Sequence, residues 1–353
     1  MHIRMRQRVS ALVAGDQIMV VMRNRALKFA DLPHIRWVLA RLAEGTDPEI
    51  VPSMAVEHGV SVTDDTVRSL INSLDAINAL ERLDIQHDLP SASLERHARS
   101  LEYLSPMEGE DGSRYDMHSR VARSSVLLIG AGGLGSWVAY GLAAAGVGRL
   151  GLCDPDTVNL SNLNRSILFD RDTVGKFKVD AARDRLSRFA PDLVIDTFTE
   201  TVTGSEDVAR LAETFDLIIG VADQPHRKIR RWVASGSTVS GVPSLQAGGG
   251  RIGPLYLPGK TSCAGCLQAS LAPPGSELEL LAEQPGIIPF RSPGSLAPFP
   301  AAESGMIVLE AYRYLSKMAE PATINAYIAQ GPNLFDGKVV TLPPHLDCAV
   351  CGA

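Results

Sequence analysis

The chain has 353 residues, of which 45% are apolar and 21% charged. That composition excludes wholesale disorder and leaves room for two or three domains. A net charge of −6 excludes a chain-wide basic surface for nucleic acid.

The first unit predicted in chain order covers residues 1–88. Arg8–Val13, Gln17–Met22 and Ala26–Phe29 read as short strands separated by turn residues such as Gly15-Asp16 and Asn24. Three helical stretches follow. Leu32–Leu42 places Ile35, Val38, Leu39 and Leu42 on one face, the second covers about 48–58, and the third starts after the capping pair Thr63-Asp64. Three strands and three helices suggest a small winged-helix-like α+β domain. Residues 1–105 hold 12 Lys+Arg against 14 Asp+Glu, and DNA phosphates demand clustered cations. A peptide clamp is therefore the favoured reading, because a strand edge beside a helix accepts a peptide as an added strand. Residues 89–113 read as a linker with a short helix at Leu94–Leu104.

From residue 114 the pattern is α/β, with a Rossmann-like, doubly wound and mostly parallel sheet expected to the end of the chain. The predicted strands are Ser125–Ile129, Arg149–Cys153, Val194–Phe198 and Asp216–Val221, and the predicted helices include Leu134–Ala145, Lys178–Phe189 and Ala301–Met318. Asn325–Leu342 reads as late strands with a turn at Asp336-Gly337. The stretch 272–300 carries seven prolines and reads as a long loop over the active face or as partly disordered. Ser124–Gly148 is uncharged and long enough to span a bilayer, but its seven glycines and its strand–turn–helix pattern mark a buried nucleotide fold. Met1–Met22 shows no secretory signal, so a cytoplasmic protein with no membrane partner is expected.

Gly130-Ala-Gly-Gly-Leu-Gly135 lies between a strand and a helix. Gly130, Gly132, Gly133 and Gly135 permit a tight turn and close backbone approach to phosphates at the helix amino end. Asp154, 19 residues past Gly135, stands where a carboxylate grips ribose hydroxyls. A dinucleotide fold shows the same loop and acid. Asn162, Arg165 and Lys178 separate the two cases: cations here suit splitting ATP between its first and second phosphates, where charge builds on phosphorus and pyrophosphate. Asp223, after the apolar run Leu217–Val221, is placed to hold magnesium on the phosphates. Arg165, Lys178 and Asp223 are thus the catalytic candidates, and ATP and Mg2+ the expected ligands.

Four of the five cysteines form two Cys-x-x-Cys pairs, Cys263/Cys266 and Cys348/Cys351. Four thiolates at this spacing point to a closed, structural Zn2+ that ties the tail to the domain. Cys153 reads as a small buried hydrophobe.

Gly130–Gly135, Asp154-x-Asp156, Ser161-Asn-Leu-Asn-Arg165, Gly175-x-x-Lys178, Ala222-Asp223 and the cysteine pairs together resemble the ubiquitin-activating-enzyme-like adenylyltransferases of the ThiF/MoeB superfamily. Gly253–Cys266, Ala222-Asp-Gln-Pro225 and Ala297-Pro298 look most like its peptide-modifying branch of MccB and PaaA type. The resemblance implies a ribosomally made precursor peptide as partner, captured by the amino-terminal domain and activated at a carboxylate as an acyl-adenylate. It also implies a homodimer. A second reading is an activator of a sulfur-carrier protein ending in Gly-Gly, and a third is a non-catalytic scaffold that presents a peptide. Sulfur-carrier activators have Arg-Tyr-x-Arg ahead of the domain; here Arg114-Tyr-Asp-Met117 lacks the second arginine, so either Arg114, Arg120 or Arg123 substitutes for it or the contact is absent.

Overall fold

The computed structural model describes residues 2–22, 25–109, 112–226, 228–272, 276, 294–331, 336–346 and 348–352. The predicted loop over 272–300 falls largely outside them, as does the turn residue Asn24. The chain divides into two compact units, Met1–Asp116 and Met117–Ala353.

The smaller unit holds the three predicted strands, β2 (Val9–Ala14), β3 (Gln17–Met22) and β4 (Arg25–Ala30), as an antiparallel sheet in that order. Alternation buries Ile18, Val20 and Met22 of β3. They pack with Ile35, Val38, Leu39 and Leu42 of α1 (Pro33–Glu44) and with Val67, Leu70 and Leu74 of α3 (Asp64–Ala76). The Thr63 hydroxyl accepts a hydrogen bond from the Thr66 amide, so the capping signal acts as predicted. The second predicted helix is a 3-10 turn followed by α2 (Val51–Glu57). A two-stranded sheet of β1 (Ile3–Met5) and β5 (Leu80–Arg82) was not predicted.

The predicted linker is largely helical, as α4 (Ser91–Arg96) and α5 (Ala98–Leu104). It is held to the small unit by a buried charge cluster. Arg114, at the start of α6 (Arg114–Arg123), donates to Glu81 Oε2 at 2.7 Å, Arg4 contacts Glu81 Oε1 at 2.5 Å and Ser105 donates at 3.3 Å. Burial works to raise the Glu81 carboxyl, but hydrogen bonds from Arg4 and Arg114 outweigh it and hold it below its usual range.

The larger unit is built on one eight-stranded sheet in the order β13-β12-β11-β10-β9-β6-β7-β8. β6 (Ser125–Ile129), β7 (Arg149–Cys153), β8 (Val194–Phe198), β9 (Leu217–Gly220) and β10 (Ser244–Ala247) are parallel. β11 (Arg251–Tyr256), β12 (Ala326–Ala329) and β13 (Lys338–Thr341) add an antiparallel margin. The parallel strands are continuous apolar runs because helices cover both faces. Leu128, Leu150, Leu152 and Leu245 face α7 (Gly133–Ala145), α8 (Lys178–Phe189) and α12 (Pro298–Ser316). Leu127, Ile129 and Ile218 face α9 (Ser205–Ala212) and α10 (Lys228–Ser240). The first strand, β6, is flanked by β7 and β9, so the strand order reverses there, and ligands of open α/β sheets bind at such a switch point. No described helix is long and apolar enough to cross a membrane.

Candidate active site

At the carboxyl end of β6 the chain turns through Gly130, at φ +100°, into α7. A Cβ at Gly130 would lie 2.7 Å from the Ala222 amide nitrogen, and one at Gly135 would lie 1.9 Å from the Gly130 carbonyl oxygen. These two glycines let the turn close on the end of β9 and let the helix rise directly from the loop. Gly133 has a different neighbour: its Cβ would meet the Arg165 stem at 3.0–3.2 Å. Among the described residues nothing lies within 4 Å of the corresponding point at Gly132, which leaves the first turn of α7 open. Among the described residues no side chain caps that end of the helix, so its first amides can face an anion.

Asp154, at the end of β7, is buried and fixed by its own backbone surroundings. Its Oδ2 accepts from the Ala131 amide at 2.7 Å and its Oδ1 from the Asp156 amide at 3.0 Å. A carboxylate offers about four acceptor positions, so ribose hydroxyls can still be taken. Lys178, the first residue of α8, is only 7% exposed. Its Nζ sits 2.6 Å from Asp156 Oδ2 and 3.5 Å from Asp154 Oδ1. Asp156 itself is 66% exposed. Its pairing with Lys178 was not legible in the sequence, although the Asp154-x-Asp156 pattern marks the position.

Asn162 and Arg165 come from the 3-10 turn Leu160–Asn162 and the residues after it. Asn162 Oδ1 accepts from the Asn159 amide at 2.9 Å and so caps its own turn. The amide NH2 is then the end that fits an anion. Arg165 Nη1 donates to the Ser161 carbonyl at 2.8 Å and to Asn164 Oδ1 at 3.0 Å, while its carbonyl accepts from the Trp137 indole at 2.9 Å. The Trp137 bond ties the Arg165 backbone to α7. Asp223 is exposed in the segment after β9. The structure therefore brings the glycine turn, Asp154, Asn162, Arg165 and Lys178 to one rim of the sheet, with Asp223 at the end of the neighbouring strand.

Two of the proposed substitutes for the missing arginine are engaged elsewhere. Arg114 is 4% exposed against Glu81, and Arg120 donates to the Ser316 carbonyl at 3.0 Å. Arg123 is exposed, and Met117 is a core residue. Cys153 is buried, and burial first, with Glu200 and Asp154 behind it, pushes its thiol up to about 12, so it is inert as a nucleophile.

The four remaining cysteines meet in one place, with their sulfurs all within 4.8 Å of one another. Cys263 to Cys348 and Cys266 to Cys351 are each 3.5 Å, and Cys263 to Cys266 is 3.9 Å. These are not disulfides. Metal–sulfur bonds of about 2.3 Å in a tetrahedron require sulfur–sulfur edges of about 3.8 Å, so the cluster fits a metal ion. Amides of Gly265 and His345 donate to Cys263 and Cys266 at 3.2 and 3.3 Å, the outer support that thiolate ligands use. Cys263 also caps α11 (Ala264–Leu271), so the site joins that helix to the tail.

Comparison with known proteins agrees with this geometry. Residues 97–350 match the ThiF family. The molybdopterin-synthase adenylyltransferase of Escherichia coli is 30% identical over 247 residues, covering 68% of this chain and 92% of that protein. The adenylyltransferase and sulfurtransferase UBA4 of Candida albicans is 27% identical over 237 residues, covering 66% of this chain but 52% of that protein; the chain thus spans about half the length of that relative. Among solved structures, E. coli MccB with ATP superposes with a TM-score of 0.77 over 100% of both chains at 19% identity, a likeness of fold. By its motifs, its site and the family match over most of its length, the chain belongs to the ThiF family.

Proposed function

We propose that the protein is an ATP-dependent adenylyltransferase that activates a carboxylate of a ribosomally made precursor peptide. The observation that carries this reading is Lys178, a buried lysine at the lip of a phosphate-binding turn, held between Asp154 and Asp156 with Arg165 lying over Gly133. The amides at the start of α7 receive the phosphates, and Asp154 takes the ribose. Lys178 and Arg165 offset charge as pyrophosphate separates from the α-phosphorus under attack by a carboxylate oxygen. Asp223 is the residue to carry Mg2+, which when bound neutralises the phosphates. Zn2+ is the ion that best suits four thiolates with no open position, and its role is structural.

The smaller unit supports a peptide substrate. A cavity of about 470 Å³ lies between β2 and α1, lined by Val9, Ala11, Val13, Leu39, Ala40 and Ala43 among others. Among the described strands β2 pairs only with β3, so its other edge can take an added strand. The MccB structures include one with N-formylated MccA and cover the whole of this chain, amino-terminal unit included. A second reading, activation of a sulfur-carrier protein, is favoured by relatives such as the ThiS adenylyltransferase of E. coli, 29% identical over 69% of this chain. Incubation with ATP, Mg2+ and either the peptide encoded beside the gene or a Gly-Gly-ended carrier separates the two. Pyrophosphate release driven by the peptide and not by the carrier is the expected result; the reverse refutes the peptide reading.

A further inference from the structure

One polar corner of the larger unit has no part in holding the nucleotide. It lies at the carboxyl end of β10, which runs parallel to β9 as β9 does to β6. All three strands therefore end on the same rim. Strands lie about 4.8 Å apart, which puts the end of β10 about 10 Å from the glycine turn. It lies on the side away from β7, where Asp154 would take the ribose. With the ribose over β7 and the phosphates over β6, the incoming acyl group approaches from β9 and β10.

At that end the chain turns through Gly248, Gly249 and Gly250, at φ +126°, +63° and +74°. Among the described residues nothing lies within 4 Å of where a Cβ at Gly249 would stand. Arg230, near the start of α10, donates to the Gly248 carbonyl at 2.7 Å. Gln246, only 2% exposed, gives its NH2 to the Arg230 carbonyl at 2.9 Å. Glu303, in the second turn of α12, lies close enough to feel the charge of Arg230 and the backbone of Gly248. Yet Gln246 Oε1 and Glu303 Oε1 are both buried and meet no donor among the described residues. Buried acceptors are ordinarily satisfied, and what both lack is a hydrogen-bond donor, which a side-chain N–H group supplies.

We propose that Arg230, Gln246, Glu303 and the Gly248–Gly250 turn form an acyl-side subsite for an N–H-donating side chain, a carboxamide or an ammonium, on the residue whose carboxylate is activated. The proposal rests on the adenylation reading and deepens it. A glycine-ended substrate leaves both acceptors empty, so the subsite selects against it.

The test uses the full chain with ATP, Mg2+ and hydroxylamine as acyl trap, and N-acetyl-Gly-Gly-X tripeptides with X as Gly, Leu, Gln or Lys. Pyrophosphate release is expected to show kcat/KM for Gln or Lys at least tenfold above Gly and Leu. Glu303→Leu and Gln246→Leu should each collapse that ratio towards one, with ATP binding measured by calorimetry to show that each variant is folded. Glu303→Gln tells the two ligands apart, because it keeps an acceptor for a carboxamide and loses the charge that an ammonium needs. Equal kcat/KM across the panel in the unsubstituted protein, or variants that slow all four tripeptides alike, overturns the subsite. No pyrophosphate from the panel or from the full peptide encoded beside the gene, while ATP still binds, is a different result: it removes the adenylation reading, and the subsite with it.

Discussion

Lys178 and Asp156 should affect ATP binding in opposite directions. A charge-assisted hydrogen bond to phosphate is worth about 1.5–3 kcal/mol. Lys178 Nζ lies 2.6 Å from Asp156, and ATP must draw it away. Asp156 is 66% exposed, so that pair counts as a surface ion pair of about 1 kcal/mol or less. The net loss in Lys178→Ala is then about 0.5–2 kcal/mol, a roughly two- to thirtyfold rise in the ATP dissociation constant at 1.4 kcal/mol per factor of ten. Asp156→Asn releases the lysine and should leave ATP binding equal or up to about fivefold tighter. The transition state carries more charge, so pyrophosphate release in Lys178→Ala should fall by about 10²–10³. Calorimetric titration with ATP reads the first two effects, and thermal denaturation confirms that both variants fold. If Asp156→Asn weakens ATP as much as Lys178→Ala does, Asp156 is itself a ligand and the assignment of Lys178 as the phosphate cation is wrong.

Three further outcomes follow from the same geometry. Gly135→Ala places a methyl 1.9 Å from the Gly130 carbonyl and should abolish ATP binding or folding, whereas Gly133→Ala meets only the Arg165 stem and should cost ATP affinity with the fold intact; circular dichroism and titration of both check the contrast. The purified protein should carry one Zn2+ per chain by elemental analysis, and Cys266→Ser or Cys348→Ser should remove it. Losing about 3 kcal/mol of linked metal binding lowers Tm by roughly 6–12 °C, and an unchanged Tm would mean that the metal does not hold the tail. Burial pushes the Glu303 carboxyl up to about 7, against the pull of Arg230 and the Gly248 backbone. The native state therefore binds that proton more tightly than the unfolded chain, whose carboxyl keeps its ordinary 4.5, and stability falls as pH rises between those values. Glu303→Gln should remove that fall, raising Tm at pH 8 relative to pH 5; an unaltered pH profile would place Glu303 in water.

The nucleotide half of the fold was legible because its signals are local. β6, β7, β8 and α8 run over the residues predicted for them, since buried parallel strands are unbroken apolar runs bounded by turn residues. β1 and β5 were missed because three-residue strands carry no periodicity, and they exist only through pairing across 77 positions. β11 was missed because Gly253 and Pro254 interrupt it. In the site, the glycines, Asp154, Arg165, Lys178 and the cysteine pairs were legible as motif letters. The contact of Lys178 with Asp156 was not, because their 22-residue separation closes only through the Thr157–Phe177 bridge and the Lys178 amide's bond to the Asp156 carbonyl. Gln246, Arg230 and Glu303 belong to no motif and meet through tertiary packing alone.

The account turns on which phosphate bond breaks. With ATP, Mg2+, the peptide encoded beside the gene and hydroxylamine to cleave the acyl-adenylate, chromatography of the nucleotide products should show AMP and pyrophosphate in equal amounts, formed only when peptide is present. ADP with inorganic phosphate, or turnover indifferent to any carboxylate offered, would contradict it.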